Sequence, residues 1–244
     1  MTSLRRPDGL DPNDPSTFTA RTEHLLEAVR CREEDRIDRL RSELESYDPT
    51  ALDRLANHRE AALAAWLNLY TAFVLLELRS DPTQFESKRS FFADRFVAVA
   101  GERFSLDEIE HGILRAGQWK YGLGYLRWPF YRDRVSKLAL DRVDYRIHFA
   151  LHCGAAGCPT ISAYTPDEID TQLDRTTREH LEETVEYDAD RNVAWVPRHC
   201  LWYRGDFGGR SGIRRMLYEY EQVPAGAAPR LRYASYDWSL AIDG

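Results

Sequence analysis

The chain has 244 residues, 43% hydrophobic and 12% aromatic, enough apolar mass to bury a substantial core, which excludes a chain disordered throughout. Its 40 acidic and 33 basic residues give a formal charge of −7, and only Lys88, Lys120 and Lys137 are lysines, leaving 30 arginines. The two signs interleave, as in Arg32-Glu33-Glu34-Asp35-Arg36, so no one-sign block points to a polyanion and no nucleic-acid partner is expected.

Residues 1–15 combine Pro, Gly and Asp with few apolar anchors and are expected to form a flexible leader. They contain no apolar stretch of the kind a secretory signal needs, so a cytoplasmic location is expected. From Ser16 to about Ser46 apolar residues recur at helical spacing (Leu25, Leu26, Val29, then Ile37, Leu40, Leu44), which predicts one or two amphipathic helices. Asp48-Pro49-Thr50 starts a short helix through Ala56. His58 to Leu78 is the strongest helix, apolar nearly all round and therefore a core helix, with Asn68 and Thr71 as polar insertions. No apolar run approaches the roughly 20 residues of a membrane span, and no membrane role is expected.

Phe96–Phe104 reads as a hairpin turning at Gly101. Ser105-Leu106-Asp107-Glu108 is a capping box opening a helix to about Leu114 that carries Glu110 and His111. Gly117–Phe130 is an aromatic, Gly-rich loop pinned by its rings. Arg146–His152 alternates apolar and polar residues and predicts a half-buried strand ending in the tight turn Cys153–Pro159. A helix from Pro166 to about Leu181, a hairpin at 185–196, a helix from Ser211 to Tyr220 and a strand at 231–236 follow. The order predicts an α+β fold with a buried central helix, short antiparallel strands and hairpins, and an N-terminal helical arm. The expected division is a leader at 1–15, an arm at 16–57 and one α+β domain at 58–244.

Chemistry concentrates at residues 144–159. Gly154–Gly157 lacks the spacing and lysine of a phosphate-binding loop. His148, His152, Cys153 and Cys158 invite a metal, but on a strand the two histidines stand roughly 13 Å apart, so no metal ligands are assigned and no cofactor is predicted, while an ion remains open. A thiol site is the third reading: Cys153 or Cys158 as nucleophile, His148 or His111 as base, Glu110 or Asp206 as orienting carboxylate. Against it stands the bland alternative of two small buried thiols around a turn. Asn68, Tyr70 and Arg146 are candidates for substrate binding, Arg146 also, and in preference, for a buried bidentate ion pair with Asp144, Glu110 or Asp206.

Five blocks carry a resemblance: Trp66-x-Asn68-x-Tyr70-Thr71-Ala72, Ser105–His111, Arg146–Leu151, Cys153-Gly154 through Cys158-Pro159, and Trp202-Tyr203 through Asp206-Phe207. In order and spacing they resemble domain of unknown function family 547, as does the closing Tyr236–Leu240. The resemblance implies a family without an established activity. It also marks two departures, Thr71 where Asn is usual and Gly157 where Ser is usual. The expectation is a thiol-dependent hydrolase or acyl-transfer enzyme acting on a small molecule or peptide. The alternative is a noncatalytic module recruiting a protein partner through the N-terminal helices.

Overall fold

The computed structural model describes residues 14–242, so positions 1–13 of the expected leader lie outside it. Helix α1 (Pro15–Cys31) begins where the Asp14 carboxylate accepts the Thr17 amide, with Pro15 needing no donor at the first position. Helices α2 (Glu34–Glu45) and α3 (Thr50–Ala56) lead into α4 (Arg59–Ser80), in which every residue from Ala61 to Leu75 is buried. Four alanines at its start (Ala61, Ala62, Ala64, Ala65) let neighbours approach closely. Phe18, Leu25, Leu40 and Leu44 of the N-terminal helices enter the same apolar cluster as α4. By length and apolarity α4 qualifies as a membrane span, which the short apolar runs of the sequence do not suggest; 89% of its most apolar stretch is buried within this fold.

The expected hairpin is present as β1 (Val97–Val99) and β2 (Glu102–Phe104), Val97 facing Phe104. A second sheet holds β3 (Glu186–Asp188), β4 (Val193–Val196) and β5 (Arg230–Tyr233) in that order. β3 and β4 form the antiparallel hairpin, but β4 and β5 pair in parallel, a correction to the expectation of antiparallel strands throughout. Parallel neighbours require a crossover, supplied here by α8 (His199–Trp202) and α9 (Gly209–Glu219). The fold is α+β as expected, with α5 (Lys88–Ala93), α6 (Asp133–Leu138) and α7 (Ile169–Thr184) completing it.

The predicted strand at Arg146–His152 is absent. Tyr145–Phe149 is a 3₁₀ helix instead, because the Asp144 carboxylate accepts the Arg146 amide at 3.1 Å and the Asp144 carbonyl accepts that of Ile147 at 3.2 Å, closing a turn. With three residues per turn, consecutive side chains point about 120° apart. Ile147 enters the main cluster around α4 and Phe149 a second cluster under the β3–β5 sheet, while His148 points into the seam between them. Its apparent alternation therefore comes from two cores on either side of one helical turn.

Candidate functional site

At that seam lies a cavity of about 140 Å³ lined by Tyr70, Glu110, His111, His148, Cys153 and Tyr203, closed on one side by Tyr236. Each element delivers its residue for a local reason. The capping box forms as predicted, Ser105 Oγ accepting the Glu108 amide and the Glu108 carboxylate accepting the Ser105 amide, both at 3.1 Å. The turns it opens are π-helical over Glu108–Leu114, the Arg115 amide bonding to the carbonyl of Glu110, five residues back, at 2.8 Å. This wide turn sets Glu110 and His111 in the cavity wall, with Arg115 buried behind them.

Arg115, which the sequence did not single out, is the hub. Fully buried, it donates from Nε to Asp206 Oδ2 at 2.6 Å, from Nη2 to Asp206 Oδ1 at 3.2 Å and from Nη1 to His111 Nδ1 at 3.0 Å, and its guanidinium lies 4.2 Å from the Tyr203 ring centroid. A guanidinium only donates, so His111 Nδ1 is the lone-pair nitrogen and His111 carries its proton at Nε2, 3.5 Å from Asp107 Oδ1. Asp107 is also paired with Lys120. Tyr70 donates to Glu110 Oε2 at 3.3 Å.

Asp206 also holds His148, whose Nε2 lies 2.9 Å from Oδ2, and the Tyr203 ring stacks on the imidazole at 4.2 Å. Burial raises the Asp206 carboxyl, but His148 and Arg115 outweigh it and hold it below the ordinary range; burial pushes His148 down. Asp206 is thus charged and His148 neutral, with Nε2–H donated to the carboxylate and the Nδ1 lone pair left without a hydrogen-bond partner among the described residues. The aromatic loop seals this arrangement: Gly124 sits at φ +77°, and a Cβ there would fall 2.4 Å from Asp206 Oδ1.

Beneath the cavity the turn Cys153–Cys158 brings both sulfurs to 2.9 Å, with the Cys153 amide 3.0 Å from Cys158 Sγ and Tyr236 Oη 3.1 Å from Cys158 Sγ. Its hydrogen bond to Cys158 and its burial push the Cys153 thiol up. Burial also opposes a Cys158 thiolate, but hydrogen bonds with Cys153 and Tyr236 and the electrostatic interaction with His152 bring that thiol down to about 6. Cys158 is therefore the more acidic of the pair, and Cys153 is the one that faces the cavity.

The other candidates lie apart. Asn68 is spent on the Tyr164 backbone, donating to its carbonyl at 2.8 Å and accepting its amide at 2.9 Å. Arg146 lies in a separate open groove, paired with Asp144 at 2.7 Å, Asp170 at 2.6 Å and Asp174 at 2.8 Å. The distance argument against a metal loses its strand, yet no group of three or more His, Cys, Asp or Glu among the described residues is placed to hold an ion. An outer vestibule of about 510 Å³, with Lys88, Arg89, Lys120, Tyr121 and Trp238 among its walls, adjoins the cavity and shares His111 and Tyr203 with it.

Fold and site together define an α+β domain whose seam holds two thiols, two histidines and a buried Arg–Asp pair. A family model described as a protein of unknown function, DUF547, matches residues 53–181, and the chain belongs to that family. Tyr70, Glu110, His111, Arg115, His148 and both cysteines fall inside the match; Tyr203, Asp206 and Tyr236 fall beyond it. No curated protein and no solved structure matches the chain.

Proposed function

We propose that this domain is a thiol-dependent hydrolase or acyl-transfer enzyme with Cys153 as nucleophile. The observation that carries the reading is that Cys153 and the Asp206-bound His148 line one cavity, while Cys158 Sγ stands 2.9 Å behind Cys153 Sγ. Cys153 Sγ attacks the carbonyl carbon of an ester, thioester or amide; its proton passes to the Cys158 thiolate and from there to the leaving group, and an acyl–Cys153 thioester forms. His148 Nδ1 then takes a proton from the incoming water or acceptor, and that proton returns to Cys153 Sγ as the thioester breaks. Asp206 orients His148 and stabilises its transient positive charge. His111, its Nδ1 occupied by Arg115, serves as an Nε2–H donor rather than as the base. The alternative of a noncatalytic module draws on the charged outer faces of α1 and α2, whose apolar faces are already packed in the core.

A p-nitrophenyl ester serves as acyl probe. Intact mass should show one acyl group on Cys153 and its release on incubation, absent in Cys153→Ala and slowed about 10²-fold in His148→Gln. Undiminished turnover in Cys153→Ala, or acylation confined to the exposed Cys31, would overturn the reading.

A further inference from the structure

We infer that Cys153 and Cys158 form a redox-active dithiol that closes to an intrachain disulfide when a small organic disulfide enters the cavity. The inference goes beyond the acyl reaction and does not need it. Four features of the turn support it. The sulfurs are already 2.9 Å apart and need to approach only to about 2.05 Å. The turn is clamped by the C-terminal segment, Ala156 N–H donating to Ser239 O at 2.8 Å, Gly157 N–H to Asp237 O at 3.0 Å and Ala241 N–H to Gly154 O at 2.8 Å, so the cysteines stay opposed.

Third, His152 stands behind the pair. It is buried with Nδ1 3.0 Å from the Pro159 carbonyl and Nε2 3.0 Å from the Ala241 carbonyl. Both ring nitrogens thus face acceptors, and the electrostatic interaction of this ring with Cys158 favours a thiolate there. Fourth, Tyr236 Oη reaches both sulfurs, at 3.4 Å and 3.1 Å, with its ring packed against Gly157, 3.0 Å from where a Cβ there would lie.

The exchange balances as follows. Cys153 Sγ attacks one sulfur of the organic disulfide RSSR, its proton passing to Cys158 and on to the departing RS⁻, giving RSH and a Cys153–S–S–R mixed disulfide. The Cys158 thiolate then attacks Cys153 Sγ, breaking the Cys153–SR bond and expelling RS⁻. Two electrons pass from the protein sulfurs to RSSR, and closure removes the nucleophile reversibly.

Both cysteines lie on one tryptic peptide, Ile147–Arg175, because no Lys or Arg interrupts it. The full chain is incubated with hydroxyethyl disulfide, quenched in acid and digested without reductant. The expected product is that peptide lacking two hydrogens and carrying no adduct, restored by dithiothreitol, while the exposed Cys31 on the same chain keeps its adduct. Cys158→Ser should trap the hydroxyethyl adduct on Cys153. Two adducts on the wild-type peptide, or an unmodified peptide once Cys31 has fully reacted, would overturn the inference; both outcomes are read on wild type and need no variant to fold. Acylation of Cys153 by the ester probe is a separate mass, so either reading can fail alone.

Discussion

Arg115 has side chains on three sides and no solvent, and removing its charge would leave the buried Asp206 carboxylate facing a neutral imidazole. Breaking one partner of a buried pair costs roughly 3–5 kcal/mol. Arg115→Met should lower the unfolding free energy by about that amount in a urea titration, and Arg115→Lys by less, since an ammonium restores charge but not the fork onto Asp206 and His111. Equal stability of Arg115→Met and wild type would mean that Asp206 is not charged in the fold. Among 30 arginines nothing in the sequence marks Arg115: the cue is a side-chain position on a π turn, which periodicity does not encode, whereas Arg146 stands out by its motif and turns out to be an ion-pair residue. Cys158 has a sharper signature. Its thiol is held down to about 6 against an ordinary 9, so the thiolate is present above that midpoint and lost as pH falls through it. The ultraviolet thiolate absorbance should show a step near 6 that Cys158→Ser removes. His152→Gln should move the step upward, since of the groups facing the sulfur, Cys153, Tyr236 and His152, the last favours the thiolate electrostatically.

Elements were legible where their cause is local. α4 is written in a stretch apolar nearly all round and interrupted by Asn68 and Thr71, the β1–β2 turn in Ala100-Gly101, and the capping box in Ser105 and Glu108, each read from neighbours in sequence. The 3₁₀ turn at Tyr145–Phe149 reads as a strand in the sequence because its alternation answers to two cores that sequence distance hides. The His148–Asp206 bond, spanning 58 positions, was legible only as one of several pairings among candidate residues. The capping box has a measurable consequence. Burial opposes the Glu108 carboxylate, but Arg132, Arg95 and the Ser105 amide together bring it from 4.5 to about 2. A depressed carboxyl contributes fully above its unfolded value and loses that contribution as pH falls through the folded one, here between about 4.5 and about 2. Discounted for the partial exposure of its arginine partners, the term is about 1–2 kcal/mol. Glu108→Gln should therefore be less stable than wild type by that much at neutral pH, the gap narrowing as the urea midpoints are followed toward pH 2; a constant gap would assign the loss to packing instead. The aromatic loop obeys steric rather than electrostatic rules. Gly124→Ala adds a methyl that meets Asp206 Oδ1 in a backbone region that disfavours alanine, and should cost about 1–3 kcal/mol by the same titration.

At the scale of the molecule, the site and the family match do not share a boundary. The match ends at residue 181, yet Asp206 and Tyr203 arrive on the segment around α8, and Tyr236 and the carbonyls that clamp the cysteine turn come from 236–241. The second core is built almost wholly from residues beyond 181, Phe149 and Leu181 being the members that belong to the matched stretch. Phe149 reaches across the seam, so a fragment of residues 53–181 would expose it, strip the α1 cover from α4 and leave Arg115 without its carboxylate. Leaving a large aromatic without its core costs roughly 3–5 kcal/mol and an unpaired buried charge about as much again, which together rival the 5–15 kcal/mol that holds a domain folded. The fragment should show no cooperative thermal transition by circular dichroism, and its Cys153 and Cys158 should react with a maleimide as fast as thiols in an unfolded peptide, while the full chain protects them. A cooperative melt of the fragment with protected thiols would show instead that the cysteine turn is held by the matched region alone, and the C-terminal clamp would then be dispensable for the site.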